Sequence, residues 1–192
     1  MILEPIPQAI TQLRLRYSFR QYNPSILDCI DSTTDANAMV IDDEEQFYSH
    51  FTNQEEEQYR CVIVNNVKRH EIYLLAIDNR FISNYPGGVA DCALFDESQF
   101  NFVEFKTNAE GHTLAQVEKT YRDAMAQIGN TFQLFKKKLS EAGVDFEKVV
   151  NIQCFVIVSN RFPRMSATEQ QLQLEFAQSL HLELSFENEM VF

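Results

Sequence analysis

The sequence predicts an α/β fold: a mixed β-sheet with helices packed on both faces, its core running helix, three strands, helix, strand (αβββαβ). Three observations carry that expectation. Apolar runs within 71–77, 89–95 and 100–105 are separated by polar or glycine-rich connections, as strands are. Between residues 114 and 139, apolar side chains recur every three or four positions, the spacing of an amphipathic helix. A nearly continuous apolar run at 149–159 follows it and reads as a buried strand. The helix before that run is the crossover a parallel strand requires.

Taken in order, the chain opens with an N-terminal helical part reaching to residue 58. Ile10, Leu13 and Tyr17 stand at helical spacing within Pro7–Tyr22, beside Arg14, Arg16 and Arg20. Pro24 and the polar cluster Asp31–Asp35 read as loop. Asp42–Tyr59 is acidic and periodic through Phe47, His50 and Phe51, which predicts a helix. The core follows, over 59–160. Tyr59–Val67 and Glu71–Ile77 read as two strands around the charged turn Lys68-Arg69-His70. Asp78–Gly88 is a loop that ends in Gly87-Gly88, where glycine lets backbone approach a ligand or simply admits the chain to the next strand.

Thr113 and Gln116 form a capping box for the long helix. Gly143 ends it, and Lys136–Lys138 suit the negative end of its dipole. Ala167–Leu180 is a second amphipathic helix, and Leu182–Phe192 alternates as a terminal edge strand. At 192 residues the whole is expected to form a single domain.

The chemistry concentrates in one predicted hairpin. With Glu97 and Ser98 at the turn, facing residues have numbers summing to 195, so Asp91 stands opposite Glu104, and Val89 opposite Lys106. Alternation places Asp91, Glu104 and Lys106 on one face and Ala90, Cys92, Leu94, Val103 and Phe105 on the other. Two carboxylates face to face repel one another. A fold relieves that by raising a pKa, by pairing with a cation such as Lys106, or by holding a divalent metal ion. The plain alternative is a salt bridge in a partly buried hairpin, with Lys106 neutralising the acids.

An aspartate, a gap, and then Glu104-Phe105-Lys106 resembles the PD-(D/E)XK nuclease signature, an acid-any-lysine on the strand after a lone aspartate. The resemblance covers Glu71–Asn160. It implies a restriction-endonuclease-like core and Mg2+- or Mn2+-dependent hydrolysis of phosphodiester bonds in DNA. Asp91 and Glu104 would bind the cation, with the Phe105 carbonyl as a third ligand, and Lys106 would position or activate the attacking water. A glutamine on the following helix reaches toward the site in RecB-type members, which implies a supporting role for Gln127. Ala90 stands where the family name has proline, and the acid that the family often carries on its first helix has no clear counterpart. Glu55, Glu56 and Glu57 are candidates for it, or a solvated face.

The overall charge pulls the other way. Sixteen basic against 28 acidic residues leave a net charge of -12, whereas affinity for a phosphate backbone rests on lysine and arginine. A nuclease of this composition segregates its charge or works with a basic partner, and the resemblance implies a homodimer or a part of a larger assembly. The rival reading is a catalytically inactive binding module of the same fold, acting as a subunit. The four cysteines show no metal-type spacing, and buried free thiols fit a reducing cytoplasm. The histidines, His50, His70, His112 and His181, are too scattered for a zinc site. Glu4, Pro5 and Pro7 interrupt the opening segment, so no signal peptide is expected, and no apolar run is long enough for a membrane span.

Overall fold

The computed structural model describes residues 6–54, 59–111 and 113–192. A six-stranded mixed sheet forms the spine, in the order β1 (Ile30–Thr33), β5 (Ile72–Ala76), β6 (Cys92–Phe95), β7 (Gln99–Lys106), β8 (Asn151–Val158), β9 (Glu183–Ser185). A second, four-stranded sheet runs β10 (Glu189–Val191), β4 (Val62–Asn65), β2 (Asn37–Asp43), β3 (Tyr48–Thr52). The helices are α1 (Gln8–Thr11), α2 (Leu15–Ser18), α3 (Leu114–Glu141), α4 (Phe146–Val149) and α5 (Ser166–Leu180).

The central unit β5-β6-β7-α3-β8 has the expected order: three antiparallel strands, a long crossover helix, and a strand parallel to β7. The β6–β7 register runs from Cys92 opposite Val103 to Phe95 opposite Phe100, each pair summing to 195. Thr113 and Gln116 cap α3 reciprocally, and Gly143 follows its end with φ +78°.

Helices on both faces is a correction. The described helices contribute to one hydrophobic core, in which Leu13, Phe19, Tyr121, Ile128, Phe135, Phe146, Leu172 and Phe176 meet Ala93, Phe95, Phe100 and Phe102 of the main sheet. The opposite face packs on the second sheet instead. Cys92, Leu94, Val103, Phe105 and Ile157 meet Ala38, Val40, Val62, Val64 and Met190 there. The molecule is therefore layered helix, sheet, sheet. The odd and even residues of each central strand feed different cores, as a strand buried on both faces requires.

The N-terminal expectations fail for local reasons. Pro7–Tyr22 is two short helices rather than one, because Leu13 and Leu15 are both fully buried and two residues apart. One helix face cannot present both inward. The chain breaks between them at Arg14, in the left-handed region with φ 49°.

Asp42–Tyr59 is not a helix. Its described part holds the β2–β3 hairpin, turned by Asp43, whose Oδ1 accepts from the backbone N–H groups of Glu45 (2.7 Å) and Gln46 (3.2 Å). The described part of the 1–58 stretch is thus a helical opening followed by strands. Glu55–Glu57 and His112 lie outside the described residues.

Lys68–His70 does not turn one hairpin. It joins β4 of the second sheet to β5 of the first, a corner held by buried Asn66, whose Nδ2 donates to the His70 carbonyl at 2.7 Å. Likewise Leu182–Phe192 is two edge strands, β9 in one sheet and β10 in the other. All four cysteines are buried, and none is in a disulfide among the described residues. Among the described residues no helix is long and apolar enough to cross a membrane.

Candidate functional site

The β6–β7 ladder stops at Cys92–Val103, one pair short of Asp91 and Glu104. Beyond it, Asp91 continues the contact with its side chain: Oδ2 accepts the backbone N–H of Phe105 at 2.6 Å. The Asp91 carbonyl accepts from the N–H groups of Ile77 (2.8 Å) and Asp78 (3.1 Å), which ties the open end of the hairpin to the end of β5. The expected face-to-face ladder pair is therefore replaced by an edge contact in which the Asp91 carboxyl sits beside the residue next to Glu104.

Glu104 lies on the helix-facing side of β7 and is 1% exposed. Its Oε1 accepts from Lys106 Nζ at 2.6 Å, and its Oε2 has no hydrogen-bond partner among the described residues. Lys106, with its side chain 23% exposed, also donates to Gln127 Oε1 at 2.7 Å. Gln127 comes from the middle of α3, and its Nε2 lies 3.5 Å from the Val89 carbonyl. So Asp91, Glu104, Lys106 and Gln127, the four side chains singled out in the sequence, come together at one end of β7.

Two further acids, which sequence reasoning missed, join this end of the sheet. Asp42 arrives from β2 in the second sheet and accepts from Ser49 Oγ at 3.3 Å; Asp78 follows β5. Burial raises the pKa of each, Asp42 being raised further by Asp78. Burial also pushes the Asp91 carboxyl well above the usual range, reinforced by the charges of Glu104 and Asp42, against the Phe105 N–H and Lys106. Glu104 is pushed up to about 7 by burial, which outweighs Lys106, with Asp42 and Asp78 adding to the rise. One lysine faces more negative charge here than it can neutralise. The signal for Asp42 was its place in the alternation Ala38, Val40, Asp42, which the acidic helix-like spacing beyond it obscured.

The approach to the site is shaped by α3. Asn130 Nδ2 donates to the carbonyls of Gly87 (3.0 Å) and Gly88 (3.4 Å), and Thr131 Oγ1 accepts the Ala90 N–H at 2.7 Å. Both glycines have positive φ, and a Cβ on Gly88 would stand 3.0 Å from the Gln127 side chain. The glycine pair thus lets this segment lie against the helix that carries Gln127. Among the described residues, no three His, Cys, Asp or Glu side chains form a group placed to hold a metal ion. No protein-family model, no curated protein and no solved structure matches this chain.

The other sequence candidates fall elsewhere. His50 pairs with Asp43 (3.0 Å), the residue after Asp42, and His70 with Asp96 (2.7 Å) at the turn of the hairpin. Lys119 lies on Asp123, Lys136 on Glu147 and Lys138 on Glu141. Gln116 serves the helix cap.

Proposed function

We propose that this protein is a metal-dependent nuclease with a restriction-endonuclease-like core, hydrolysing phosphodiester bonds in DNA with Mg2+ or Mn2+. The observation that carries the reading is Glu104: a carboxylate buried to 1% exposure with one oxygen unpartnered, next to a second raised carboxylate and a lysine. An unsatisfied buried charge is costly, and a hard divalent cation is the kind of group that relieves it. Mg2+ is bound through one or two carboxylates with waters completing the shell, so Asp91 and Glu104 are a sufficient pair. The Phe105 N–H points toward Asp91, and in an extended strand the carbonyl of the same residue points the same way, which suits it to a third oxygen ligand.

A bound cation would supply charge for the phosphate oxygens and an acidified water. The rest falls to the chain. Lys106 holds a proton-bearing amine between Glu104 and Gln127, where it can orient a water and follow charge onto an oxyanion. Gln127 fixes the lysine rotamer, which makes it a positioning residue. Asp42 and Asp78 keep the local potential negative and favour a cation. The four buried thiols suit a reducing, cytoplasmic setting.

The test is calorimetric titration of Mg2+ and Mn2+, with Asp91→Asn as the control, followed by cleavage assays on single- and double-stranded DNA. Binding that vanishes in the variant, with cleavage that needs the same ions, is the expected result. No binding at millimolar cation would move the reading to its rival, a binding module of the same fold that acts as a subunit. That rival is favoured by the net charge of -12 and by ion pairs that occupy Lys119, Arg122, Lys136 and Lys138 of α3.

A further inference from the structure

Away from these acids, one region of the molecule gathers exposed cations. Gln12 Nε2 donates to the Glu97 carbonyl at 2.8 Å, so the α1–α2 region sits toward the turn end of the hairpin. There α2 meets the C-terminal end of α3, which lies about 21 Å along the helix from Gln127 at 1.5 Å per residue. Arg14 crosses between them and donates to the Ala142 carbonyl at 2.9 Å. That bond offsets the negative end of the α3 dipole. Arg16, Arg20 and Lys137 are exposed and form no close ion pair among the described residues, unlike Lys136 and Lys138, although the Lys137 charge acts on Glu141.

Two tyrosines stand among these cations. Tyr17 is 56% exposed, with the Arg20 guanidinium 4.8 Å from its ring centroid; Tyr22 is 40% exposed, with Lys138 Nζ at 5.9 Å. A cavity of about 160 Å³ lies there, lined in part by Tyr17, Arg20, Gln21 and Lys138, with Glu141 held by Lys138 at 2.8 Å. In a chain of net charge -12, a pole where cations are left free beside open aromatic rings is charge segregated for an anion with a flat, apolar part.

We propose that the pole formed by α2 and the C-terminal end of α3 binds single-stranded nucleic acid, with phosphates on Arg16, Arg20 and Lys137 and a base stacked at Tyr17. Binders of single strands combine these two elements, cations that track the backbone and rings that take unstacked bases. A duplex keeps its bases stacked inside and offers the tyrosines nothing. The inference stands on this pole's own residues and does not depend on what the acids at the far end do.

The test is fluorescence anisotropy with the full chain in EDTA, which prevents metal-dependent cleavage. The probes are a labelled single-stranded oligonucleotide, its duplex, and heparin as a polyanion without bases. The variants are Arg16→Glu/Arg20→Glu and Tyr17→Ala, each checked for native circular dichroism. Single-strand binding is expected to weaken with salt. The double variant should lose at least about tenfold and flatten the log–log salt slope by about 1.4, the share of two phosphate contacts on a single strand. Tyr17→Ala should lose about fivefold or more on the single strand and nothing on heparin. Absent binding, or binding unchanged in the double variant, would overturn the proposal. Equal affinity for heparin and no effect of Tyr17→Ala would overturn it in favour of a site for anions in general.

Discussion

The β6–β7 hairpin carries buried acids at both ends, and the two ends are built in opposite ways. At the turn, Asp96 Oδ1 accepts from Ser98 N (2.6 Å), Ser98 Oγ (2.9 Å) and Gln99 N (2.8 Å), and Oδ2 meets His70 Nε2 at 2.7 Å. Burial opposes its charge, but those bonds outweigh burial and hold the carboxyl below its usual range. At the open end, Asp91 is given one backbone N–H, Glu104 one ammonium, and Glu104 Oε2 nothing. Both carboxyls there are pushed up. The turn acid shapes the chain and stabilises it. The open-end acids are kept against stability, since an apolar replacement for a buried ion pair is often neutral or better. That contrast marks the open end as the one with work other than folding to do.

The largest effect that would sharpen the contrast is on cleavage. Glu104→Ala and Lys106→Ala are each expected to bring cation-dependent DNA cleavage to background in a protein that still shows native circular dichroism. Asp96→Ala is expected to leave cleavage by the folded protein intact. A folded Lys106→Ala variant with full activity would remove the lysine from its assigned role.

Stability should respond the other way round. Asp96→Ala strips a charge-assisted set of turn bonds from a nearly buried side chain and is expected to cost about 3 kcal/mol, a fall of roughly 6–12 °C in midpoint by differential scanning calorimetry. Because the folded pKa of Asp96 is depressed, its contribution is present above the unfolded value of about 3.9 and is lost as pH falls through the folded value. The Asp96→Ala deficit should therefore shrink in acid. A deficit that persists unchanged at pH 2 would show that packing, not charge, holds the turn.

Glu104 carries the opposite sign. With its folded pKa raised to about 7, the native state holds this proton more tightly than the unfolded chain does. Stability therefore declines as pH rises from about 4.3 to about 7 and is flat above. Glu104→Gln, which fixes the neutral form, is expected to be more stable than the parent by about 3–4 kcal/mol at pH 8 without divalent cations, and close to it at pH 4. Equal midpoints at pH 8 would mean that Lys106 already satisfies the charge and that the two ends of the hairpin are not different in kind.

How much of this was legible follows the range of the contacts. The β6–β7 register could be read because a four-residue polar link fixes it locally, and α3 because 28 residues repeat one pattern. Asp91, Glu104 and Lys106 ride on the hairpin, so their nearness was legible too, whereas Gln127 was pointed to only by the family resemblance. Asp42 was not. Its strand ends in a turn that places Phe47, not glycine, at φ 62°, so the usual mark of a hairpin is missing and the helical spacing of Phe47, His50 and Phe51 misleads. The second sheet was hidden for a further reason: β10 pairs in parallel with β4 from the far end of the chain, and no local pattern announces such a pairing.

The smallest expected effect concerns how the open end is held. Gly88 has φ +78°, a conformation that a Cβ disfavours, and the added methyl would stand 3.0 Å from Gln127 Cγ and Nε2. Gly143 also has φ +78°, yet its nearest neighbour to an added Cβ is Arg14 at 4.0 Å. Alanine at either position is expected to cost about 1 kcal/mol from the backbone alone. Only Gly88→Ala also pushes on the side chain that fixes Lys106. The pair therefore separates strain from positioning: similar loss of midpoint, but reduced cleavage rate with little change in cation affinity for Gly88→Ala alone. Equal cleavage by both variants would show that Gln127 packs the helix against the hairpin and does not set the lysine.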